Sequence, residues 1–276
     1  MKNAILFGLF GLLMLGCKPK EISWVAIGDS ITYLNDHKDE TGNRLTKGYL
    51  SLIAEKYPHI KYINQGHNGW TSIGIAENIE KLGLVEADVY SVFLGTNDWW
   101  AGKALGSMDD YTQNTGTGTV YGAFRIIIDK LKALDSDAQI ILITPMQRGD
   151  FVYINDYKNN AYGSYKAKNG ETLGRFANAV IAIGQKENIA VVDLYHESGI
   201  TPENAVHFKR LRNPETGEYK NYSYPEYTEI PFDPESDEYP YPPEAIDMTY
   251  DGLHPSDKGC AIIAQMLAEK WEGLEN

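Results

Sequence analysis

The chain has 276 residues, a net charge of −13 and only two cysteines, Cys17 and Cys260. This length suits one large α/β domain with a well-buried core, and two cysteines provide no disulfide framework. Nucleic acids and anionic membrane surfaces are polyanions, so the negative charge argues against either as the main partner. We expect a neutral or cationic substrate.

An export signal is predicted at the amino terminus. Lys2 supplies a positive charge, and residues 4–15 form an apolar stretch that is too short for a comfortable membrane span. The stretch ends in LMLGC, which resembles a bacterial lipobox, with cleavage by ordinary signal peptidase as the alternative. The chain is then tethered by acyl chains, facing the periplasm or the cell surface. The predicted organisation is a lipoprotein signal peptide at 1–16, lipidation of Cys17, a short tether at 17–22 and a domain at 23–276.

The apolar pattern predicts strands and helices that alternate along the chain. In chain order we expect a strand at 23–27, a helix at 49–56, a strand at 61–63, a helix at 73–82, a strand at 89–94, a helix at 124–131, a strand at 139–144, a helix at 172–186, a strand at 190–194 and a helix at 256–271. Such alternation is typical of a three-layer α/β/α sandwich. We therefore predict a five-stranded, mainly parallel sheet of the flavodoxin-like kind, with polar segments at the carboxyl ends of its strands.

A serine follows the first predicted strand in the segment GDSIT, and an aspartate and a histidine occur far along the chain in DGLHP. A serine hydroxyl becomes a strong nucleophile when an imidazole takes its proton. An aspartate beside that imidazole selects its tautomer and stabilises its positive charge. Ser30, His254 and Asp251 therefore supply a nucleophile, a base and an orienting carboxylate.

Two further segments, NQGHNG and GTND, follow the second and third predicted strands. Attack on an ester carbonyl builds negative charge on oxygen, so hydrogen-bond donors must already face that oxygen. Gly69 can present its backbone N–H at close approach because it has no side chain, and Asn97 can offer its amide. Gly66 is an alternative donor.

The four blocks GDSIT, NQGHNG, GTND and DGLHP, in this order, resemble the SGNH, or GDSL-type, hydrolase superfamily. The resemblance spans residues 28–255 and implies the SGNH-hydrolase fold. It implies that Ser30 is the nucleophile of a triad with Asp251 and His254. The oxyanion hole would combine the N–H groups of Ser30 and Gly69 with the Asn97 side chain. No metal or organic cofactor is implied, and the G-x-S-x-G pentapeptide of the alternative α/β-hydrolase fold does not occur.

Several side chains next to the blocks are candidates for contact with substrate. Aromatic rings suit sugar faces or small acyl groups, whereas a long-chain lipase usually presents an aliphatic channel. Asp29, like Asp98, also has a plainer interpretation as a carboxylate that fixes a turn. His67 lacks a preceding aspartate and is predicted to be structural or pocket-lining. The candidates are Asp29, Tyr33, Trp70, Trp99 and Trp100.

A long segment rich in tyrosine, proline and acid, at about 195–248, separates the last predicted strand from DGLHP. Loops of this length within a compact domain are usually functional or disordered, and the tyrosines argue against full disorder. We leave two alternatives open: an ordered lid beside His254, or a structural wrap over the sheet edge.

These features predict a serine esterase that removes acetyl or another short acyl group from a carbohydrate. Its partners would be an acylated small molecule or glycan and a membrane reached through the lipid anchor only. A lysophospholipase or general lipase is the alternative among enzymes. A glycan-binding lipoprotein without catalysis is the alternative from another class, but the chain keeps Ser30, His254 and Asn97.

Overall fold

The computed structural model describes residues 20–271. The predicted signal peptide, the lipidation site Cys17 and the start of the tether lie outside these residues. The first strand begins at Ile22, one residue before its predicted start. Within the described part of the chain, no helix combines the length and the hydropathy that crossing a membrane requires.

The described residues form nine strands and nine α-helices. The strands are β1 (Ile22–Gly28), β2 (Ile60–Gly66), β3 (Val89–Phe93), β4 (Gln139–Ile143), β5 (Phe151–Tyr153), β6 (Asp156–Ala161), β7 (Ala190–Val192), β8 (Lys209–Arg212) and β9 (Tyr219–Tyr222). The helices are α1 (Ser30–Tyr33), α2 (Tyr49–Lys56), α3 (Ser72–Glu77), α4 (Thr96–Trp100), α5 (Met108–Gln113), α6 (Val120–Leu134), α7 (Leu173–Glu187), α8 (Leu194–Glu197) and α9 (Asp257–Lys270).

Five of the strands form the central sheet, in the order β2-β1-β3-β4-β7. Each neighbouring pair is parallel, so the sheet is parallel throughout. The three-layer prediction is confirmed. Because all five strands run in the same direction, the loops that follow β1, β2 and β3 meet at one edge of the sheet, where open α/β sheets place their ligand sites.

The central strands are buried on both faces, as expected for a parallel sheet covered by helices. Along β1, Val25 and Ile27 enter one apolar core, and Trp24 and Ala26 enter the other. This division follows from the alternation of side chains along a strand. Helices α3, α6 and α7 cover the first face, and α2 and α9 cover the second.

Several boundaries differ from the sequence-based prediction by one to a few residues, and two of the differences change how an element ends. The helix predicted at 73–82 ends at Glu77, and a separate 3-10 turn follows at Ile79–Lys81. The strand predicted at 190–194 stops at Val192, because the Asp193 carboxylate accepts a hydrogen bond from the His196 N–H and caps α8.

The segment at 195–248 is ordered and has a small core of its own. Tyr227 and Tyr241 are fully buried there, against residues of the β5–β6 hairpin that the sequence did not predict. The Tyr241 hydroxyl donates to the Asp150 carbonyl, and the Tyr239 hydroxyl donates to the Val152 carbonyl at 3.2 Å. These contacts hold the segment against the hairpin.

Candidate active site

The structure brings Ser30, His254 and Asp251 into one chain of hydrogen bonds, although the serine and the aspartate are far apart in the sequence. The distance from His254 Nε2 to Ser30 Oγ is 2.9 Å, and that from His254 Nδ1 to Asp251 Oδ2 is 2.7 Å. An ionised carboxylate can only accept, so Nδ1 carries the proton and Nε2 accepts from the serine hydroxyl. This is the tautomer in which the imidazole can deprotonate Ser30.

The three-residue spacing of Asp251 and His254 in DGLHP has a local structural cause. Asp251 Oδ1 accepts hydrogen bonds from the backbone N–H of His254 at 2.7 Å and of Leu253 at 3.0 Å. One oxygen of the carboxylate therefore holds the turn while the other holds the imidazole. Gly252 lies between them with φ +89°, and a Cβ there would overlap the Asp150 carbonyl oxygen. Only glycine fits this position.

Two aromatic rings that the sequence analysis did not single out hold the His254 imidazole. Tyr250 stacks on it with the ring centres 5.8 Å apart, and Phe151 meets it edge to face at 5.3 Å. Tyr250 directly precedes the DGLHP block and could have been suspected. Phe151 comes from β5, about a hundred residues earlier, and no local signal marks it.

The two backbone N–H groups predicted for the oxyanion hole are those of Ser30 and Gly69. Neither the Ser30 N–H nor the Gly69 N–H donates to an acceptor within residues 20–271. Gly69 has φ +72°, and the space where a Cβ would lie is open. Gly66, the alternative donor, is already used: its N–H donates to Asn64 Oδ1 at 2.9 Å, and a Cβ there would meet the Tyr33 backbone nitrogen. Gly66 therefore allows close backbone packing and is not a free donor.

Asn97 lies in the first turn of α4, at the end of β3. Its Nδ2 donates to the Trp70 carbonyl at 3.0 Å and lies 3.4 Å from Asp29 Oδ2. The Trp70 carbonyl and the Asp29 carboxylate together orient the amide. The Trp70 carbonyl accepts one amide hydrogen, and the second, whose contact with Asp29 is long, is the one that an oxyanion can accept.

Two acidic residues of the blocks, Asp29 and Asp98, are buried turn carboxylates. Asp29 is 2% exposed, and its Oδ1 caps α1 by accepting from the Ile31 N–H at 3.0 Å. Burial raises the pKa of Asp29 to about 6. Asp98 accepts from both the backbone N–H and the hydroxyl of Ser72 at 2.8 Å. The prediction of Asp29 as a substrate contact is therefore wrong, because it lies beneath the surface and acts on α1 and Asn97.

The aromatic candidates divide into a buried ring and three surface rings. Trp99 is fully buried, and its indole N–H donates to the Glu171 carbonyl at 2.9 Å, so the prediction that it contacts substrate is wrong. Tyr33, Trp70 and Trp100 are half-buried. His67 stacks on Trp70 at 4.6 Å, as a structural or pocket-lining residue would.

The chain matches the GDSL-like Lipase/Acylhydrolase family over residues 26–262. The protein belongs to this family. It is a serine ester hydrolase, and the matched residues include all four sequence blocks. Among residues 20–271 of this GDSL-like hydrolase, no group of three or more His, Cys, Asp or Glu side chains is placed to hold a metal ion.

Solved structures resemble this GDSL-like hydrolase over most of its length. A possible lipase from Chitinophaga pinensis is 65% identical, with a TM-score of 0.89, and the match covers 90% of this chain and 97% of the other. A putative GDSL-like lipase from Parabacteroides merdae is 18% identical, with a TM-score of 0.54 and coverages of 93% and 97%. A catalytic mutant of an acetylxylan esterase from Geobacillus stearothermophilus is 17% identical, with a TM-score of 0.50 and coverages of 91% and 94%. The last two show the fold alone. No curated protein matches the chain.

Proposed function

We propose that this hydrolase removes acetyl or another short acyl group from a carbohydrate, with Ser30 as its nucleophile. The observation that carries the proposal is the chain of hydrogen bonds from Ser30 through His254 to Asp251. Two backbone N–H groups of the sequence blocks, those of Ser30 and Gly69, have no acceptor within the described residues. His254 takes the Ser30 proton as the hydroxyl oxygen attacks the ester carbonyl. The resulting oxyanion accepts from the Ser30 and Gly69 N–H groups and from Asn97.

The second half of the reaction uses the same groups. The protonated His254 gives its proton to the departing alcohol, which leaves an acyl group on Ser30. His254 then deprotonates a water molecule, which attacks the acyl-enzyme, and a second oxyanion collapses to the free acid and Ser30. Asp251 stays ionised throughout and stabilises the imidazolium.

The surface around the site supports a polar substrate. The Tyr33 hydroxyl donates to Glu40 at 2.9 Å, and the rings of Trp70 and Trp100 are half-buried. Of the large hydrophobic side chains within residues 20–271, only Ile63 and Val85 are exposed, and Val85 precedes β3 at the opposite edge of the sheet. A lipase that works on a lipid surface needs more exposed apolar area than this. The acetylxylan esterase with a similar fold is consistent with a sugar ester.

A lipase is the second candidate, because the 65% identical Chitinophaga pinensis protein is described as a possible lipase. A panel of p-nitrophenyl esters from acetate to palmitate, together with acetylated xylo-oligosaccharides, separates the two candidates. The proposal requires turnover of the short esters and release of acetate from the oligosaccharides. Turnover that rises with chain length, with no acetate from the oligosaccharides, would establish the lipase instead.

The Ser30→Ala variant tests the nucleophile in the same panel. We expect its kcat to fall by about 10⁴-fold or more, because removing one triad member leaves only the oxyanion hole and binding. The far-UV circular dichroism spectrum should not change. Wild-type activity in the Ser30→Ala variant would contradict the mechanism, and an inactive wild type would leave the glycan-binding alternative.

The lipid anchor at Cys17 belongs to the same proposal. Its support is the LMLGC segment after an apolar stretch, and its consequence is that the enzyme acts at a membrane surface on the periplasmic or outer side. In cells that secrete lipoproteins, the wild type should fractionate with membranes and the Cys17→Ala variant should not. Equal fractionation of both would contradict the anchor.

A further inference from the structure

Two lysines lie over aromatic rings beside the candidate site. Lys168 Nζ is 4.0 Å from the ring centre of Trp100 and 5.7 Å from that of Tyr162. The Tyr162 ring meets the Trp100 ring edge to face at 4.8 Å. Lys166 Nζ is 5.9 Å from the same tyrosine ring. We call these four residues, Trp100, Tyr162, Lys166 and Lys168, the cation–aromatic cluster.

The positive charge of this cluster is not neutralised by the carboxylates around it. Asp150 forms a buried ion pair with Lys209 at 2.8 Å, and Glu171 forms an ion pair with Arg175 at 2.6 Å. Neither lysine of the cluster lies within 4.0 Å of a carboxylate in the part of the chain that the structure describes. In a protein with a net charge of −13, the cluster is therefore a local positive region.

A third cation lies beneath the cluster. Arg148 is 2% exposed, and its guanidinium carbon is 5.6 Å from the Trp100 ring centre. Its Nη2 donates to the Tyr162 carbonyl at 2.6 Å, while its Nε is buried without a hydrogen-bond partner. A buried guanidinium stays charged at neutral pH and adds to the positive potential at the surface above it.

The cluster is connected to the catalytic base by direct packing. Trp100 contacts a small apolar group formed by Phe151, Ala161 and Leu253. Phe151 in turn meets the His254 imidazole at 5.3 Å. A short acyl group occupies little space, so a binding surface that extends away from His254 would meet the alcohol part of the substrate.

We propose that the cation–aromatic cluster binds an acidic alcohol part, so that the preferred substrate is an acylated sugar that carries a carboxylate, such as a uronic acid. The rings of Trp100 and Tyr162 hold the two lysines by cation–π contacts at the surface. Lys168 and Lys166 form charge-assisted hydrogen bonds with the carboxylate. This inference rests on the proposed function and reverses the expectation of a neutral or cationic substrate, because the net charge averages over a surface whose local charge differs.

The test compares two matched pairs of esters. The first pair is an acetylated methyl glucuronoside and the acetylated methyl glucoside. The second is 3-acetoxybenzoate and the neutral 3-acetoxybenzamide, which contain no sugar. For each pair we measure the ratio of kcat/KM, acidic over neutral, for the wild type and for Lys168→Met. This ratio does not depend on the fraction of correctly folded enzyme.

We expect the wild type to prefer the acidic member of each pair, and Lys168→Met to lower that ratio about tenfold, the usual effect of losing one charged hydrogen bond. Added salt should also lower the wild-type ratio by screening the charges. The control is Lys61→Met, on an exposed lysine at the amino end of β2, which should leave the ratio unchanged.

The outcomes separate this inference from the proposed function. Hydrolysis of both sugars at equal rates would overturn the acidic substrate and leave the carbohydrate esterase standing. Hydrolysis of neither sugar would overturn the carbohydrate substrate. The benzoate pair would then test, on its own, whether the cluster binds an acidic alcohol part. A ratio for 3-acetoxybenzoate that Lys168→Met and salt do not change would overturn it.

Discussion

The two halves of the active site are held in different ways. The nucleophile side, which carries Ser30, Gly69 and Asn97, consists of short turns that directly follow strands of the central sheet. The base side, which carries Asp251 and His254, is a loop held by the β5–β6 hairpin and by the tyrosine-rich segment at 195–248. Buried strands therefore position the first half, and long-range contacts position the second.

The contacts of the base side converge on a short stretch of backbone. The Asp150 carbonyl lies against Gly252 and accepts from the Tyr241 hydroxyl, and the Val152 N–H donates to the Asp251 carbonyl at 3.4 Å. Disturbing this stretch should cost both stability and activity. A change on the nucleophile side should cost activity with little effect on stability.

The largest effect is expected for Gly252→Ala, on the base side. The new Cβ would overlap the Asp150 carbonyl in a backbone conformation of φ +89°. We expect a loss of about 3–5 kcal/mol in the free energy of unfolding, from backbone strain and a forced shift. The activity should fall by about 10²-fold or more, because His254 moves away from Ser30. Urea unfolding and kcat/KM for p-nitrophenyl acetate measure the two losses.

The control for this variant is Gly217→Ala, in the turn between β8 and β9. Gly217 has a similar φ of +75°, but the space around a Cβ there is open. It should lose about 1–2 kcal/mol from the left-handed backbone alone and keep full activity. Equal effects of the two substitutions would show that the contact with Asp150 does not hold the base side.

On the nucleophile side, Asn97→Ala should separate activity from stability. We expect kcat to fall by about 10²–10³-fold, the usual cost of removing one oxyanion donor. The free energy of unfolding should fall by only about 1 kcal/mol, because the Trp70 carbonyl loses a partner. Asn78→Ala is the matched control, since Asn78 also donates its amide to a backbone carbonyl, that of Gly74 at 3.0 Å. Similar kcat losses for both variants would contradict a role for Asn97 in catalysis.

The contrast between the two sides also explains what the sequence could predict. Ser30, Gly69 and Asn97 follow strands whose apolar runs are visible, so the meeting of their loops follows from a parallel sheet alone. The support of the base side depends on Phe151 and Tyr241, which are far from His254 along the chain. No short pattern marks such contacts. For the same reason, the sequence does not decide whether the segment at 195–248 is a lid or a structural wrap.

The neighbouring residues Trp99 and Trp100 show a second limit of prediction from the sequence. Both residues follow Asp98 in the sequence, and both are predicted to contact substrate. In α4 they point in different directions, so that one enters the core and the other borders the cation–aromatic cluster. A helix of five residues is too short for its apolar pattern to show which face is buried.

A smaller effect is expected from the ionisation of Asp29. Burial raises the pKa of Asp29 from 3.8 to about 6, so the folded protein holds this proton more tightly than the unfolded chain. The contribution of Asp29 to stability therefore falls as pH rises from about 4 to 6 and stays low above that. From pH 5 to pH 7 the wild type should lose about 1 kcal/mol more of its free energy of unfolding than Asp29→Asn. Parallel pH dependences in urea unfolding would contradict this assignment.

The smallest effect is expected for Tyr241→Phe, which tests whether the segment at 195–248 reaches the catalytic base. The variant keeps the buried ring and removes only the hydrogen bond to the Asp150 carbonyl, so it should lose about 1 kcal/mol in the free energy of unfolding. Because that carbonyl lies against Gly252, we also expect kcat to fall a few-fold with KM unchanged. Tyr222→Phe is the control, because its hydroxyl bonds to Asn213 within the β8–β9 hairpin. If both variants keep the wild-type kcat, the segment stabilises the fold without positioning His254.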